Sequence, residues 1–365
     1  MHILTQFSHM AVIDLHENKK KSVLIGISGG VDSAVGAYIL KNQGYDVHAV
    51  TYILSSSQKS SVNDAIKIAE KLNIPIYIDD KTDSFDKEVI SYFTNAYLKG
   101  ETPNPCVLCN KSFKFRHLIE RAESMGIDYV ATGHYANIDY DDKSKRFLLT
   151  KSANEKKDQS YFLYRLTQSQ LSKIIFPISD MNKDQVRLIA QKIGLEVNDK
   201  KDSQDICFIK DTDYASFIKE KTDRLFENST FIDKSGNTIG KGDNHIFYTP
   251  GQRRGLGQGF NKRVYVIKKD AMNNKVVLGD ETDLYKKEIK VKDINLISIV
   301  KLEEPMKVKI KIRNSMNFAD GEISMVDDNI KIVFDEPVRA AVNGQSAVFY
   351  KDNLVVGGGI IYDAL

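Results

Sequence analysis

The chain has 365 residues, of which 42% are hydrophobic and 28% are charged, and its formal net charge is +3 at neutral pH. This length predicts two or three domains, and the composition excludes wholesale disorder, collagen-like repeats and coiled coils. The small net charge gives no overall signature of nucleic-acid binding, so a polyanion site must be a local patch. Apolar runs too short for a membrane helix, a polar N-terminus and only three cysteines predict a cytoplasmic, reducing compartment without membrane contact.

Residues 22–195 alternate short β-branched runs with stretches of helical period, which predicts βαβ units around a parallel sheet. An amphipathic helix is predicted to begin after the cap Asn182 and to end at Gly194. The first 20 residues are predicted to be a separate extension. The predicted buried strands cover residues 23–27, 47–54, 74–78 and 129–132.

Beyond about residue 231 the runs become short and strand-like with polar turns between them, which predicts an all-β half ending in a small barrel or sandwich. Predicted boundaries near Leu225 and Tyr285 divide the chain into 1–20, 21–225, 226–285 and 286–365. In the last part, four cations alternate along one predicted strand: Lys307, Lys309, Lys311 and Arg313. They are interpreted either as a phosphate-binding face or as a solvated edge strand protected by its charges.

The sharpest motif is SGGVDS at residues 28–33, between a predicted strand and a predicted helix. Two glycines admit a ligand close to the backbone, two serine hydroxyls can bond phosphate oxygens, and the helix N-terminus presents free N–H groups. An ordinary glycine-rich turn is the alternative. The motif lacks the lysine of a Walker A loop and has Asp32 instead, which predicts a magnesium ion between this carboxylate and phosphates. It resembles the PP-loop of ATP pyrophosphatases, which implies ATP cleavage to AMP and pyrophosphate during adenylation of a carbonyl oxygen.

Two cysteines lie in TPNPCVLCNK at residues 102–111. A helix predicted over residues 111–125 starts just after Cys109, so its dipole and the lysines that follow are expected to lower the pKa of this thiol. A structural zinc site is the alternative, but the third cysteine, Cys207, lies 98 residues further along, so a four-cysteine site is impossible. Alone, Cys207 with its apolar neighbours is typical of an inert core residue.

Together these motifs closely resemble the tRNA-specific 2-thiouridylases, and the resemblance runs from the PP-loop to the C-terminus. It implies a Rossmann-like parallel sheet of the PP-loop (adenine nucleotide alpha hydrolase-like) type, a small β-rich central domain and a C-terminal β-barrel. The further matching segments are ATGHY at 131–135, KDQSYFL at 157–163, DSQDICFI at 202–209, YTPGQRRGLG at 248–257, GQSAVFY at 344–350 and GGGII at 357–361.

The resemblance implies conversion of the wobble uridine of tRNA to 2-thiouridine, with ATP adenylating the C2 oxygen and sulfur displacing AMP. Cys207 would carry a persulfide received from a sulfur-relay protein or a cysteine desulfurase, and Cys109 would be the nucleophile that then closes a disulfide with it. Splitting a persulfide needs such a second thiol. Three alternatives stay open: a [4Fe-4S] cluster on Cys106, Cys109 and Cys207, another adenylating PP-loop synthetase, and a tRNA-binding protein without activity.

The resemblance also assigns the remaining site residues. ATP is expected at Gly26, Ile27, Ser28, Gly29, Gly30, Val31, Asp32, Ser33, Tyr52 and Gly133, with Mg²⁺ held by Asp32 through the phosphates. The target base is expected at Asn104, Pro105 and Cys106. The tRNA is expected to contact His134, Lys157, Asp158, Gln159, Arg313, Asn314 and Gln345.

The sequence departs from the family pattern at several of these positions. Cys106 stands where many members have an aspartate proposed as a general acid or base, so a carboxylate there is not expected to be essential. Tyr52 replaces a common methionine, Asn314 replaces a tyrosine, and Val342–Asn343 replaces Thr-Pro ahead of Gly344.

Overall fold

The computed structural model describes residues 20–55, 58–195, 206–209, 213–222 and 224–364. Apart from Lys20, the predicted N-terminal extension therefore lies outside the described residues. These residues form three sheets. None of the helices described is both long and apolar enough to cross a membrane.

The first sheet has five parallel strands in the order β3-β2-β1-β4-β7 and confirms the predicted α/β fold. Its strands are β1 Ser22–Gly26, β2 Asp46–Ile53, β3 Ile76–Asp80, β4 Tyr129–Ala131 and β7 Ile174–Ile175. The chain moves outward from β1 through β2 to β3 and then returns to place β4 on the other side of β1. A ligand site is expected at such a reversal, outside the carboxyl ends of the strands.

Nine α-helices are described. They are α1 Val31–Asn42, α2 Lys59–Leu72, α3 Thr82–Phe85, α4 Ser91–Leu98, α5 Pro105–Leu108, α6 Phe115–Ser124, α7 Gln168–Leu171, α8 Lys183–Lys192 and α9 Tyr214–Glu220. π-helical turns at Asp86–Ile90 and Cys109–Lys114 join α3 to α4 and α5 to α6. Helix α8 follows the cap Asn182, whose side chain accepts the Gln185 N–H, as the sequence predicts.

Both faces of the parallel sheet are buried, which explains why its strands are apolar runs. Val23 and Ile25 of β1 pack with Ala34 of α1 on one face. Leu24 points to the other face and packs with Phe115 and Leu118. The helices therefore hold β1, and with it the loop that follows, from both sides.

The second sheet is small and has the order β10-β11-β8-β9. Its strands are β8 Ser229–Ile232, β9 Thr238–Gly242, β10 Tyr265–Asp270 and β11 Lys275–Gly279. Phe231, Tyr248, Val266 and Val276 form its core. This sheet is the predicted β-rich central domain.

The third sheet contains a closed barrel in the order β12-β15-β14-β13-β16-β17, with β12 also paired to β17. The predicted C-terminal barrel is therefore confirmed. Its strands are β12 Tyr285–Leu296, β13 Met306–Lys311, β14 Ala319–Val326, β15 Asn329–Arg339, β16 Ser346–Lys351 and β17 Leu354–Asp363.

A hairpin that the sequence pattern did not predict attaches the first domain to the barrel. Its strands, β5 Ala136–Asp141 and β6 Arg146–Lys151, extend the third sheet through the pair Thr150 and Leu354. Behind the hairpin, Val348 and Tyr350 of the barrel share one hydrophobic core with Leu24 of β1. The first domain and the barrel are thus packed as one unit.

The three lysines of the stripe predicted on residues 307–313 lie on β13, which is paired on both sides and is not an edge strand, and Arg313 follows the end of this strand. Lys307 Nζ lies 2.9 Å from a carboxylate oxygen of Asp335, and Lys309 Nζ lies 2.9 Å from one of Asp320. These ion pairs neutralise half of the stripe and favour a solvated face over a phosphate-binding one.

Candidate active site

The loop at residues 28–33 leaves the carboxyl end of β1 and leads into α1. The Ser33 hydroxyl fixes its shape, because it donates to the Gly30 carbonyl oxygen at 3.0 Å and accepts the Ser28 N–H at 3.3 Å. No described side chain caps the first turn of α1. Its backbone N–H groups are therefore available to an anionic ligand.

Two glycines bring backbone segments into close contact around this loop. Gly29 has φ +76°, and a Cβ there would lie 2.6 Å from the Ser61 carbonyl oxygen. Gly133 follows β4, and a Cβ there would lie 2.7 Å from the Ser33 nitrogen. Neither position accepts a side chain without movement of the backbone, so both glycines are needed to form the loop.

Asp32, the predicted magnesium ligand, has two partners in the fold. Lys183 Nζ lies 2.9 Å from each carboxylate oxygen, and the buried Tyr135 hydroxyl donates to Oδ1 at 2.8 Å. A magnesium ion at this carboxylate would have to replace Lys183. Sequence reasoning missed Lys183, since the two residues are 151 positions apart and the cap at Asn182 signals only the start of α8.

Tyr52, a predicted ATP-binding residue, lies near the carboxyl end of β2, the strand next to β1. In the parallel register Gly26 pairs with Val50, so Tyr52 lies two positions beyond the end of β1. Its hydroxyl is buried and has no hydrogen-bond partner among the described residues. Burial, followed by the charge of Asp79, raises the pKa of Tyr52. A buried hydroxyl of this kind is a polar atom that a bound ligand or a water molecule can satisfy.

The helix that carries two of the thiols begins earlier than predicted. Asn104 precedes Pro105 at the first helical position, and helical backbone continues through Cys109 to Ser124. The prediction of a helix start just after Cys109 is wrong, because a proline with its fixed φ favours the first turn of a helix. Cys109 lies in the second turn, away from the unpaired N–H groups.

The predicted lowering of the Cys109 pKa is also wrong. Burial raises the pKa of Cys109 to about 12 and outweighs the opposing effect of Lys114. Burial likewise raises the pKa of Cys106. A thiolate is a charged group, so its transfer out of water raises its free energy by more than the attraction of one nearby lysine lowers it. Cys109 is therefore a protonated thiol at neutral pH in this conformation.

Cys207 is exposed, which rules out an inert core residue. Its neighbour Phe208 holds the segment in place, with ring centroids 5.7 Å from Phe85, 5.3 Å from Phe93 and 5.4 Å from Phe217. Cys109 packs against the same aromatic cluster.

The charge of Cys207 raises the pKa values of both Cys106 and Cys109, which brings the three thiols into one electrostatic neighbourhood. None of the three forms a disulfide. Across the part of the chain that the structure describes, no group of three His, Cys, Asp or Glu side chains is arranged to hold a metal ion. The three thiols thus do not form a ready ligand set for an iron–sulfur cluster.

The charge of Lys114 acts on two of the thiols and on His134. Its charge lowers the pKa values of Cys106 and Cys109, and after burial it is also the second cause that lowers the pKa of His134. His134 follows Gly133, and its ring packs 5.7 Å from Phe115 and 5.9 Å from Phe176. The imidazole is therefore neutral at neutral pH and lies between the two halves of the site.

The barrel reaches the predicted base-binding segment through residues 343–345. The Gln345 side chain donates to the Thr102 carbonyl oxygen at 2.8 Å, and the Thr102 N–H donates to the Asn343 carbonyl oxygen at 2.8 Å. Gly344 has φ +91°, and a Cβ there would lie 2.9 Å from Glu101 Cβ. Gln345, a predicted tRNA contact, thus positions the chain just ahead of Asn104.

Two of the other predicted tRNA contacts form bonds within the protein. Asp158 accepts the Ser152 and Ser160 N–H groups at 3.1 and 3.2 Å, and burial raises its pKa. Gln159 is bonded to the Tyr135 backbone through its own N–H at 2.8 Å and its side-chain oxygen at 3.0 Å. Since the Tyr135 hydroxyl also donates to Asp32, these hydrogen bonds link the segment 157–163 to the phosphate loop.

The remaining predicted tRNA contacts lie at the surface. Lys157 is half-buried in the turn before Asp158, and Asn314 is exposed beyond β13. Arg313 is partly buried and donates to the Ala340 carbonyl oxygen at 2.7 Å. Burial lowers the pKa of Arg313, while Arg339 acts in the same direction.

Comparisons with known proteins agree with this architecture. The family model described as the tRNA methyl transferase HUP domain matches residues 21–211, the tRNA methyl transferase PRC-barrel domain matches residues 215–280, and the aminomethyltransferase beta-barrel domain matches residues 286–361. The tRNA-specific 2-thiouridylase MnmA of Acetivibrio thermocellus is 50% identical over 356 residues, covering 94% of this chain and 99% of that protein. MnmA proteins of Clostridioides difficile and Clostridium perfringens are 49% and 47% identical over 94% and 95% of this chain and 99% of theirs.

Proposed function

The chain belongs to the family of tRNA-specific 2-thiouridylases, and we propose that it replaces the C2 oxygen of the wobble uridine of tRNA with sulfur in a reaction that consumes ATP. ATP would transfer AMP to the C2 oxygen with loss of pyrophosphate, and sulfur would then displace AMP. The observation that carries this proposal is a phosphate loop whose shape is already fixed, in a chain that also brings three thiols close enough for their charges to influence one another.

The loop half binds the nucleotide. The free N–H groups at the start of α1 and the exposed Ser28 hydroxyl would contact phosphate oxygens. We expect Lys183 to turn from Asp32 to a phosphate when ATP binds, since the same ammonium group is attracted to either anion. Mg²⁺, when bound at Asp32, would neutralise charge on the departing pyrophosphate.

The base half begins at Asn104, whose side chain is a hydrogen-bond partner of the Tyr161 hydroxyl. That hydroxyl also donates to the Ser346 carbonyl oxygen at 2.9 Å, so the barrel supports this corner of the site. Asn104, Pro105 and Cys106 would receive a uracil turned out of the anticodon stack. Domain 21–225 would carry the chemistry, and the barrel at 286–365 would contact tRNA.

Sulfur transfer needs both Cys207 and Cys109. The exposed Cys207 would accept a persulfide from a sulfur-relay protein or a cysteine desulfurase, and its terminal sulfur would attack C2. The Cys109 thiolate would attack the Cys207 Sγ, so the S–S bond of the persulfide breaks, a Cys109–Cys207 disulfide forms, and AMP leaves with the original oxygen. An external dithiol would reduce the disulfide before the next turnover.

The alternatives explain less of the structure. A cluster mechanism would use the three cysteines as ligands, whereas the described residues contain no such metal-binding group. An adenylating synthetase of another kind gives the thiols no role. A tRNA-binding protein without activity gives no reason for the glycines and charges that hold the phosphate loop.

In vitro thiolation tests the proposal. The protein is mixed with ATP, Mg²⁺, a persulfide donor, a dithiol and an unmodified tRNA transcript with a wobble uridine, and digested nucleosides are measured by mass spectrometry. We expect one AMP and one pyrophosphate for each 2-thiouridine, and none from a transcript with cytidine at the wobble position. Thiolation that proceeds without ATP cleavage would contradict the proposed chemistry.

A further inference from the structure

An arginine-rich loop of the central domain has no role in the reaction above. This arginine loop, residues 251–263, joins the short helical turn His245–Phe247 and the segment that follows it to β10, and has the sequence GQRRGLGQGFNKR. Leu256 and Val264 anchor it in the small core of the central sheet. Arg253, Lys262 and Arg263 line a surface cavity of about 360 Å³ in this loop.

The backbone of the arginine loop has a defined shape. Gly251, Gly255 and Gly257 have φ of +94°, +71° and +74°, a left-handed conformation that favours glycine. The Gln252 side chain accepts the Thr249 N–H and donates to the Arg254 carbonyl oxygen, both at 3.0 Å. The guanidinium groups are therefore presented from a shaped loop.

Three of its cations lack a counterion in the part of the chain that the structure describes. Arg253, Arg254 and Arg263 are exposed, and none of them forms an ion pair with a described residue. The neighbouring Lys262 differs, because its Nζ lies 2.9 Å from Asp280. Three guanidinium groups without an ion-pair partner among the described residues create a positive field on one short loop, and guanidinium groups match phosphate geometry.

The arginine loop contacts the same barrel segment that contacts the chain just ahead of the predicted base-binding residues. A Cβ on Gly251 would lie 3.1 Å from Ala340 Cβ and 3.7 Å from Arg339 Nη1. Ala340 accepts the hydrogen bond of Arg313, and three residues later the same barrel segment begins its contacts with Thr102. Residues 340–345 therefore bridge the base-binding segment and the arginine loop.

We propose that Arg253, Arg254 and Arg263 form an additional tRNA-binding site, which binds backbone phosphates while the wobble base lies at the segment Asn104–Cys106. The proposal rests on the proposed function for the identity of the polyanion. Phosphate contacts fix position without reading sequence, so this surface would contribute affinity and orientation to every tRNA substrate.

The test replaces all three arginines by glutamine and measures equilibrium binding of an unmodified tRNA transcript over a range of KCl concentrations. We expect binding roughly tenfold or more weaker near 0.1 M salt, with a salt slope smaller by about two to three, since each lost phosphate contact removes about 0.7–0.9 from it. The matched control changes Lys234, Lys307 and Lys309 to glutamine. It removes the same charge from residues that already pair with Asp283, Asp335 and Asp320.

Affinity and slope equal to those of the control variant would overturn the proposal. Normal tRNA binding with slower sulfur delivery would also overturn it and point to an acidic sulfur donor as the partner. If the triple variant melts early, single changes at each arginine are measured against the same criterion. The binding assay needs neither ATP nor sulfur, so it tests the arginine loop separately from the reaction. A protein that binds tRNA through this loop but does not thiolate it would contradict the proposed function and leave the proposal for the loop intact.

Discussion

The two halves of the active site are prepared to different degrees. The phosphate loop is fixed by internal bonds, by two glycines without room for a side chain, and by the ion pair of Asp32 with Lys183. In the thiol half, Cys109 is protonated because of its burial, while Cys207 is exposed on a segment held by Phe208. The nucleotide therefore binds to a loop that already has its shape, whereas Cys109 has to lose its proton before sulfur can be transferred.

This difference has a chemical advantage. A persulfide beside a permanent thiolate would be reduced before any base was bound, since thiolates attack sulfur–sulfur bonds readily. Keeping Cys109 protonated until tRNA and adenylation change its surroundings would prevent this loss. The following predictions separate the two halves, from the largest expected effect to the smallest.

Replacing Cys109 or Cys207 by serine should lower tRNA thiolation by more than about 10³-fold, because each thiol takes part in a bond-breaking step. Binding of ATP and tRNA, measured by titration calorimetry, should change little. A serine variant with more than a tenth of wild-type 2-thiouridine yield would rule out that thiol as an obligatory participant.

Changing Gly133 to valine should weaken ATP binding by roughly 10- to 100-fold, because overlap with the Ser33 nitrogen forces the loop to move at a cost of about 1–3 kcal/mol. The matched control is Gly259→Ala, where an added Cβ meets nothing within 4 Å. Equal ATP affinity in the two variants would show that the contact between β4 and the loop does not shape the nucleotide site.

Alkylation of Cys109 by iodoacetamide should accelerate about tenfold for each pH unit between pH 7 and pH 9, since its pKa of about 12 leaves only a small thiolate fraction throughout this range. The exposed Cys207 should react first, as peptide mapping would show. By linkage, the raised pKa of Cys109 adds stability that is complete below its ordinary pKa of 9.0 and is lost as pH rises towards 12. Pulse labelling in which Cys109 reacts at a rate independent of pH would contradict this assignment.

Lys183→Met should raise the KM for ATP about tenfold and leave tRNA affinity unchanged, since a charge-assisted contact to phosphate contributes about 1.5 kcal/mol or more. Lys183→Arg keeps the charge and should recover most of the loss. Steady-state kinetics with pyrophosphate release as the readout measures both variants. A methionine variant with wild-type KM would confine Lys183 to its pairing with Asp32.

Cys106 provides the smallest expected effect and the test against a metal cluster. Cys106→Ala should keep thiolation within about threefold of wild type and contain no iron, and Cys106→Asp should retain activity by supplying the acid common in the family. Protein purified without oxygen is assayed for iron, labile sulfide and 2-thiouridine. An inactive, colourless alanine variant beside a brown, active wild type would establish the cluster mechanism.

Local sequence predicted the parts of the site that local physics determines. The loop at residues 28–33 follows from two glycines between a strand and a helix, and the start of α8 follows from its capping residues. The pairing of Lys183 with Asp32 could not be read this way, because the two residues meet only when α8 folds back on α1. The pKa of Cys109 had the wrong predicted direction because its burial depends on aromatic residues from several segments that are distant in the sequence.

The hairpin β5–β6 shows the same limit in the fold. Its alternating pattern is typical of a strand pair, but the partner that it joins, β17, lies about 200 residues away, and nothing near Thr150 identifies Leu354. Likewise the resemblance to a family suggested that Gln345 contacts tRNA, while its bond to Thr102 is a property of this packing alone.

The hydrophobic core shared by the α/β domain and the barrel affects how the protein is made in the cell. Leu24 and Val130 of the first sheet bury their side chains in the same cluster as Val348 and Tyr350. At a translation rate of about 5–20 residues per second, the barrel residues of this core are synthesised some tens of seconds after those of the first sheet. The emerging N-terminal part therefore exposes an unfinished apolar face, and we expect it to depend on chaperones at the ribosome and to be insoluble when expressed without the barrel.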